Sequence, residues 1–179
     1  MAEGAVVSLL SSLESQLGLQ KSNQYPPVSD WNPPLSGVMD MRIDSEGRWW
    51  HEGDQIKRES LVRLFSSILK CEMGQYFLVT PVEKWQIRVD DRPLLIVLVN
   101  KNEAGDIEMI TQVGDQLLLG IKHPLQMSDL NGVSVPEVRV RDELWARLSR
   151  NAFYDLVDLA DSNASGCVVR SNGCQYTLG

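Results

Sequence analysis

Between positions 58 and 71 the apolar residues Leu61, Leu64, Phe65, Ile68 and Leu69 recur at i, i+3, i+4, i+7 and i+8. That spacing places one stripe of an α-helix against a core, and Gly74 offers a C-terminal stop. The flanking pattern is of a different period. Residues 38–43 and 48–51 read as short strands joined by a turn at 44–47, and 76–80 and 83–89 as a hairpin around Pro81. A second helical stripe is expected from Leu144, Leu148, Ala152, Leu156, Val157 and Ala160, with Asp142 and Glu143 opening the helix at the positive end of its dipole. Between the helices, 94–99 is a continuous apolar run that reads as a buried strand and 107–112 alternates as a half-buried one. Residues 124–136 read as loop, 137–140 as a short strand, and 167–170 with 175–178 as a hairpin turning at Asn172-Gly173.

Punctuation divides the chain. Residues 20–34 carry Pro26, Pro27, Pro33 and Pro34 and form an extended connector. Asp90-Asp91-Arg92-Pro93 is a polar break between two β-rich regions. The expected organisation is an N-terminal helix and linker over 1–34, an α+β subdomain over 35–90 and a second over 91–179. The fold class is α+β. A repeat is suggested by element order: 56–89 and 138–178 each run strand end, Arg, helix, Gly, hairpin. Arg58 precedes Leu61 by three residues just as Arg141 precedes Leu144.

Composition narrows the function. With 179 residues, 43% of them hydrophobic, the chain can bury one large core or two small ones. The net charge of −7 argues against nucleic-acid binding, which needs basic surface to displace counterions. In 1–19 there is no Lys or Arg, and Val6, Leu9, Leu10, Leu13 and Leu17 fall on one helical face. An amphipathic helix that docks on the body or on a protein partner is expected, rather than an export signal. No run reaches the length of a membrane span, and a cytoplasmic protein is expected. Three cysteines fit a reducing compartment. A two-residue turn at Asn172-Gly173 would pair Ser171 with Cys174 and Cys167 with Leu178, out of register for a disulfide.

Catalytic signatures are absent. His51 and His123 are the only histidines, and no metal-binding, phosphate-loop or nucleophile-elbow spacing occurs. No catalytic residue, metal or cofactor is assigned. Binding chemistry is better represented. In Trp49-Trp50-His51, alternation puts Trp49 and His51 on one face and Trp50 on the other. Either Trp50 fills the core while Trp49 covers a subdomain boundary and His51 caps a turn, or Trp49 or His51 stacks on a flat ring. At the tip of the 76–89 hairpin, Thr80 can supply a hydroxyl and Lys84 a charge to a phosphate, unless Glu83 and Lys84 are simply solvated. Arg139 and Arg141 leave one strand on the same face and suit an anion by their planar forks, or else pair with nearby acids. Arg58, entering the first helix, is open to the same two readings.

The pattern WWHEG…IKRESLVRLFSSIL…LVTPVEK, followed by VDDRP, resembles an uncharacterised bacterial family, domain of unknown function 1285. The likeness covers roughly positions 31–176 and is most specific at 49–53, 61–69 and 79–84. It implies an internal duplication whose C-terminal half looks like a pleckstrin-homology fold, a β-barrel or sheet with a helix. It also implies a nucleotide-like ligand at the interface of the halves, with a role in signal transduction or stress response. Carried over by motif, the site residues are His51, Arg58, Thr80, Glu83 and Lys84. Trp49, Arg139 and Arg141 join them from the residue reading. The alternatives are a protein-interaction adaptor, and an enzyme acting on a phosphorylated small molecule with Glu83 or His51 as base.

Overall fold

The computed structural model describes residues 25–163 and 166–178. The helix expected over 1–19 lies outside them. The chain divides into two compact units between Asp91 and Arg92. No helix among the described residues is long and apolar enough to cross a membrane.

In the N-terminal unit, strands β1 (Leu35–Ile43), β2 (Trp49–His51) and β3 (Asp54–Gln55) form a meander. Helix α1 (Glu59–Ser67) leads into a second meander of β4 (Leu69–Glu72), β5 (Gln75–Val79) and β6 (Lys84–Val89). The six strands make one sheet in the order β3-β2-β1-β6-β5-β4. The two meanders join along β1 and β6, which run parallel while the other neighbours are antiparallel. Strand alternation turns Met39, Met41 and Ile43 inward. On the same side Trp49, 1% exposed, stacks on Phe65 of α1 with ring centroids 5.9 Å apart.

Helix α1 is shorter than its apolar spacing suggests. Ile68 caps it in a non-helical conformation, and Leu69 already belongs to β4. Both are fully buried. A buried residue at the next helical position is indistinguishable by period from the first residue of a buried strand, which is why the stripe runs past the true end. Gly74 is therefore no helix stop. With Met73 it makes the two-residue turn between β4 and β5, both residues at positive φ, as a type I′ hairpin requires.

The C-terminal unit contains β7 (Leu94–Lys101), β8 (Ile107–Thr111), β9 (Gln116–Leu118), β10 (Leu125–Leu130), β11 (Val133–Arg141) and β12 (Leu144–Leu148). These are followed by α2 (Arg150–Asp158), β13 (Asp161–Asn163), β14 (Gly166–Ser171) and β15 (Cys174–Thr177). Its six-stranded sheet has the order β10-β11-β12-β7-β8-β9, again with the first and sixth strands parallel at the centre. Read from the other edge, this is the order of the N-terminal sheet with six added to each number. The halves are similar, and neither sheet closes into a barrel. A third sheet, β13-β14-β15, completes the unit.

Four sequence expectations are corrected here. Leu144 and Leu148 lie on strand β12, not on a helix. Their i, i+4 spacing belongs equally to period 2, and the burial of Ala146 between them shows which period holds. Helix α2 starts later, at Arg150, behind the N-cap Ser149, whose hydroxyl accepts the Ala152 amide. Consequently the repeat is not the proposed match of 56–89 with 138–178, since Arg58 precedes a helix and Arg141 ends a strand. Residues 124–136 are not loop but most of the β10–β11 hairpin, which turns at Asn131-Gly132 with both φ positive. Pro136 is tolerated in β11 because β12 pairs only as far as Glu137. Finally, the run 94–99 is not buried throughout: at a bulge in β7, Val97 and Leu98 are 44% and 41% exposed. The last hairpin has the expected register, Ser171 opposite Cys174, and the three cysteines are free thiols.

Candidate functional site

The alternation that sends Met41, Trp49 and Ile87 into the core sends Arg42, Trp50 and Arg88 to the opposite face of the N-terminal sheet. Register lines these three up. Arg42 is the cross-strand partner of Trp50 on β2 and of Arg88 on β6. They line a groove of about 990 Å³ built wholly from the N-terminal unit, with Tyr76, Gln86 and Glu52 also on its walls.

The indole is fixed in place. Trp50 Nε1 donates to Asp44 Oδ2 at 2.9 Å. The guanidinium carbons of Arg42 and Arg48 lie 5.6 and 5.9 Å from its ring centroid, within cation–π reach. Asp44 is buried, which by itself would raise its carboxyl pKa. Hydrogen bonds from Trp50, from the Arg48 amide and guanidinium and from the Glu46 amide outweigh that, and hold it below the ordinary aspartate value. Asp90, just past the end of β6, accepts from Arg42 and from Arg88. Arg42 Nη1 is 3.3 Å from its Oδ2, and Arg88 Nε is 3.1 Å from its Oδ1.

The sequence candidates occupy other places. Trp49 and Trp50 exchange the expected roles: Trp49 fills the core and Trp50 stands on the open face. His51 Nδ1 lies 2.9 Å from the Asp40 carbonyl oxygen, so this nitrogen carries the proton when the bond forms. Arg58 stands at the N-cap of α1 and donates to Ser60 Oγ. Thr80 is fully buried and its hydroxyl accepts the Val82 and Glu83 amides, which shapes the β5–β6 turn. Glu83 accepts the Trp85 indole N–H. Lys84 pairs with Glu72, which Lys70 also contacts at 3.1 Å, and lies 4.5 Å from the Phe77 ring centroid. These two lysines outweigh the cost of partial burial and hold the Glu72 carboxyl below its ordinary value. Thr80, Glu83 and Lys84 thus share one turn, whereas Trp49, His51 and Arg58 stand apart from it.

Arg139 and Arg141 belong to the C-terminal unit. Arg139 reaches the Lys122 carbonyl at 3.4 Å. Arg141 Nη1 lies 3.9 Å from Asp115 Oδ2, with both groups largely buried. Desolvation raises the Asp115 carboxyl and lowers the Arg141 guanidinium, only partly offset by their mutual attraction. Nearer the boundary, Arg92 forks onto the fully buried Glu137 at 2.6 and 3.0 Å, and Gln126 adds a third bond. Burial would raise the Glu137 pKa, but these donors bring it below the ordinary value.

Among the described residues there is no cluster of three or more His, Cys, Asp or Glu side chains able to hold a metal ion. The groove offers a flat ring and two guanidinium groups, a combination suited to binding an anionic aromatic molecule. Sequence reasoning offered Trp50 only as a core residue and passed over Arg42 and Arg88. The signal that could have found them is the same alternation, carried across β1, β2 and β6 together.

Two family models divide the chain between them. The N-terminal domain of domain of unknown function 1285 matches residues 26–92, and its C-terminal domain matches residues 93–178. The chain belongs to the DUF1285 family. Crystal structures of two DUF1285 proteins resemble it. One, from Silicibacter pomeroyi DSS-3, is 40% identical with a TM-score of 0.82 and 93% of each chain covered. Another, from Shewanella baltica OS155, is 30% identical with a TM-score of 0.58, covering 68% of this chain and 93% of its own. Among proteins with curated functions, none matches this DUF1285 chain.

Proposed function

We propose that this DUF1285 protein is a non-enzymatic binding protein for a nucleotide-like anion, acting in bacterial signal transduction or stress response. Its binding surface is the outer face of the N-terminal sheet. The observation that carries the reading is the row Trp50–Arg42–Arg88, a fixed indole beside two guanidinium groups on one open groove. Aromatic faces bind bases with about 1–3 kcal/mol each, and arginine forks match phosphate oxygens. For the C-terminal unit, the pleckstrin-homology-like reading rests on element order, six strands followed by α2.

A thermal-shift screen of mono-, di- and cyclic dinucleotides tests the proposal. A ligand at 100 times its dissociation constant adds about 2.7 kcal/mol of stability. The shift is expected to vanish in the Arg42→Ala/Arg88→Ala double variant. Absence of any shift across the set, or a shift untouched by the double variant, would reject this surface.

A second reading, a protein-interaction adaptor, draws on exposed apolar residues, of which Val38 also lines the groove. Leu35, Val38 and Val82 are 57%, 74% and 62% exposed in the same unit. Cross-linking mass spectrometry that maps a partner onto β1 would favour it.

A further inference from the structure

We infer that Asp90 occupies the phosphate subsite of this groove and competes with the ligand for it, so that the natural anion is a phosphoryl group shared by Arg42 and Arg88. The inference rests on the binding reading above. Each oxygen of the Asp90 carboxylate faces a different guanidinium, at 3.3 and 3.1 Å. A group bridging both arginines in this way is what a phosphoryl group would be, with a further oxygen to spare and more charge.

A comparison with other acids shows why Asp90 is the replaceable one. Asp44 is nearly buried and accepts four donors. In the C-terminal unit, Glu137 is fully buried under Arg92 and Gln126. The side chains of Asp90, Arg42 and Arg88 are instead 25%, 40% and 75% exposed. Ion pairs in water of this kind are weak and exchange readily. The Asp90 amide donates to the Ile43 carbonyl at 2.9 Å, so the carboxylate can rotate away while the backbone stays in place. Ligand arrival then swaps one anion for another across the two guanidinium groups, leaving no buried charge unpaired at any stage.

Calorimetric titration of the full chain with inorganic pyrophosphate and with adenosine diphosphate, at low ionic strength, tests this. Asp90→Asn keeps the side-chain shape and removes the competing charge. It is expected to bind pyrophosphate about five-fold tighter than the wild type, since two exposed pairs no longer have to be broken. The Arg42→Ala/Arg88→Ala variant is expected to lose binding. Binding by Asp90→Asn alone, with the wild type silent, also supports the competition. Equal affinities for wild type, Asp90→Asn and Asp90→Ala would overturn the inference and leave the binding reading standing. No binding by either the wild type or Asp90→Asn would overturn both.

Discussion

The two halves share a strand order and differ in where they put a helix and their charges. In the N-terminal half α1 links the third strand to the fourth. In the C-terminal half β9 passes to β10 without a helix, and α2 follows the sixth strand. Charge also differs in emphasis, although the N-terminal unit buries Asp44 and the C-terminal unit carries the exposed pair Arg170–Asp161. The N-terminal sheet carries Arg42, Arg88 and Asp90 on an open face, while the C-terminal unit sinks Glu137, Asp115 and much of Arg141 into its interior. One sheet plan therefore supports a surface whose ions can change partners and an interior whose ions cannot. Both the placement of the helix and the side chains carried on the shared strands, Arg42 on β1 and Arg88 on β6 against Glu137 and Arg141 on β11, distinguish the two.

Perturbing each half separately sharpens that contrast. Trp49→Ala should cost about 4 kcal/mol, because it empties the stack on Phe65 at a site with no solvent access. Amide hydrogen exchange localised to β1, β2 and α1 reads it out. Glu137→Ala should cost about 3 kcal/mol by leaving Arg92 without its buried acceptor, and chemical denaturation measures it. The same carboxylate sets a pH dependence. Its folded pKa lies below its unfolded one, so its stabilisation is complete above the ordinary glutamate value of about 4.3 and disappears as pH falls through the folded value. Glu137→Gln should flatten that acid limb; an unchanged limb would show that other groups produce it.

The helices offer a smaller comparison. Ser149 caps α2 with its side chain, whereas Arg58 gives α1 no such bond. Ser149→Ala should lose about 1 kcal/mol and Arg58→Asp should gain somewhat less than that, both visible as shifts in thermal midpoint. The smallest effect is expected on the open face. Arg88→Ala should change stability by less than about 0.5 kcal/mol while weakening anion binding. A large stability loss there would mean that the face is structural.

The hairpins were legible wherever a turn signal and an alternating run agreed, as at β5–β6 and β14–β15. The β10–β11 hairpin was obscured because Pro124 and Pro136 read as breaks, although Asn131-Gly132 between them is a strong I′ signal. Strand β12 was hidden by the coincidence of periods at Leu144 and Leu148. Half of the candidate site was legible in principle: alternation alone separates Trp49 from Trp50 and Ile87 from Arg88. What the sequence could not reveal was the parallel pairing of β1 with β6. Only that pairing sets Arg42 beside Arg88, and no local pattern encodes the register of strands so far apart in the chain.

That central pairing has a bearing on how each half is assembled. Both meanders of a half can form from near neighbours, but the seam joining them unites the first strand with the last. Its closure requires the whole intervening segment to be gathered in, at the highest loop-entropy cost in that six-stranded sheet. Within each half, the middle of the six-stranded sheet is thus expected to be the last part of it to be made.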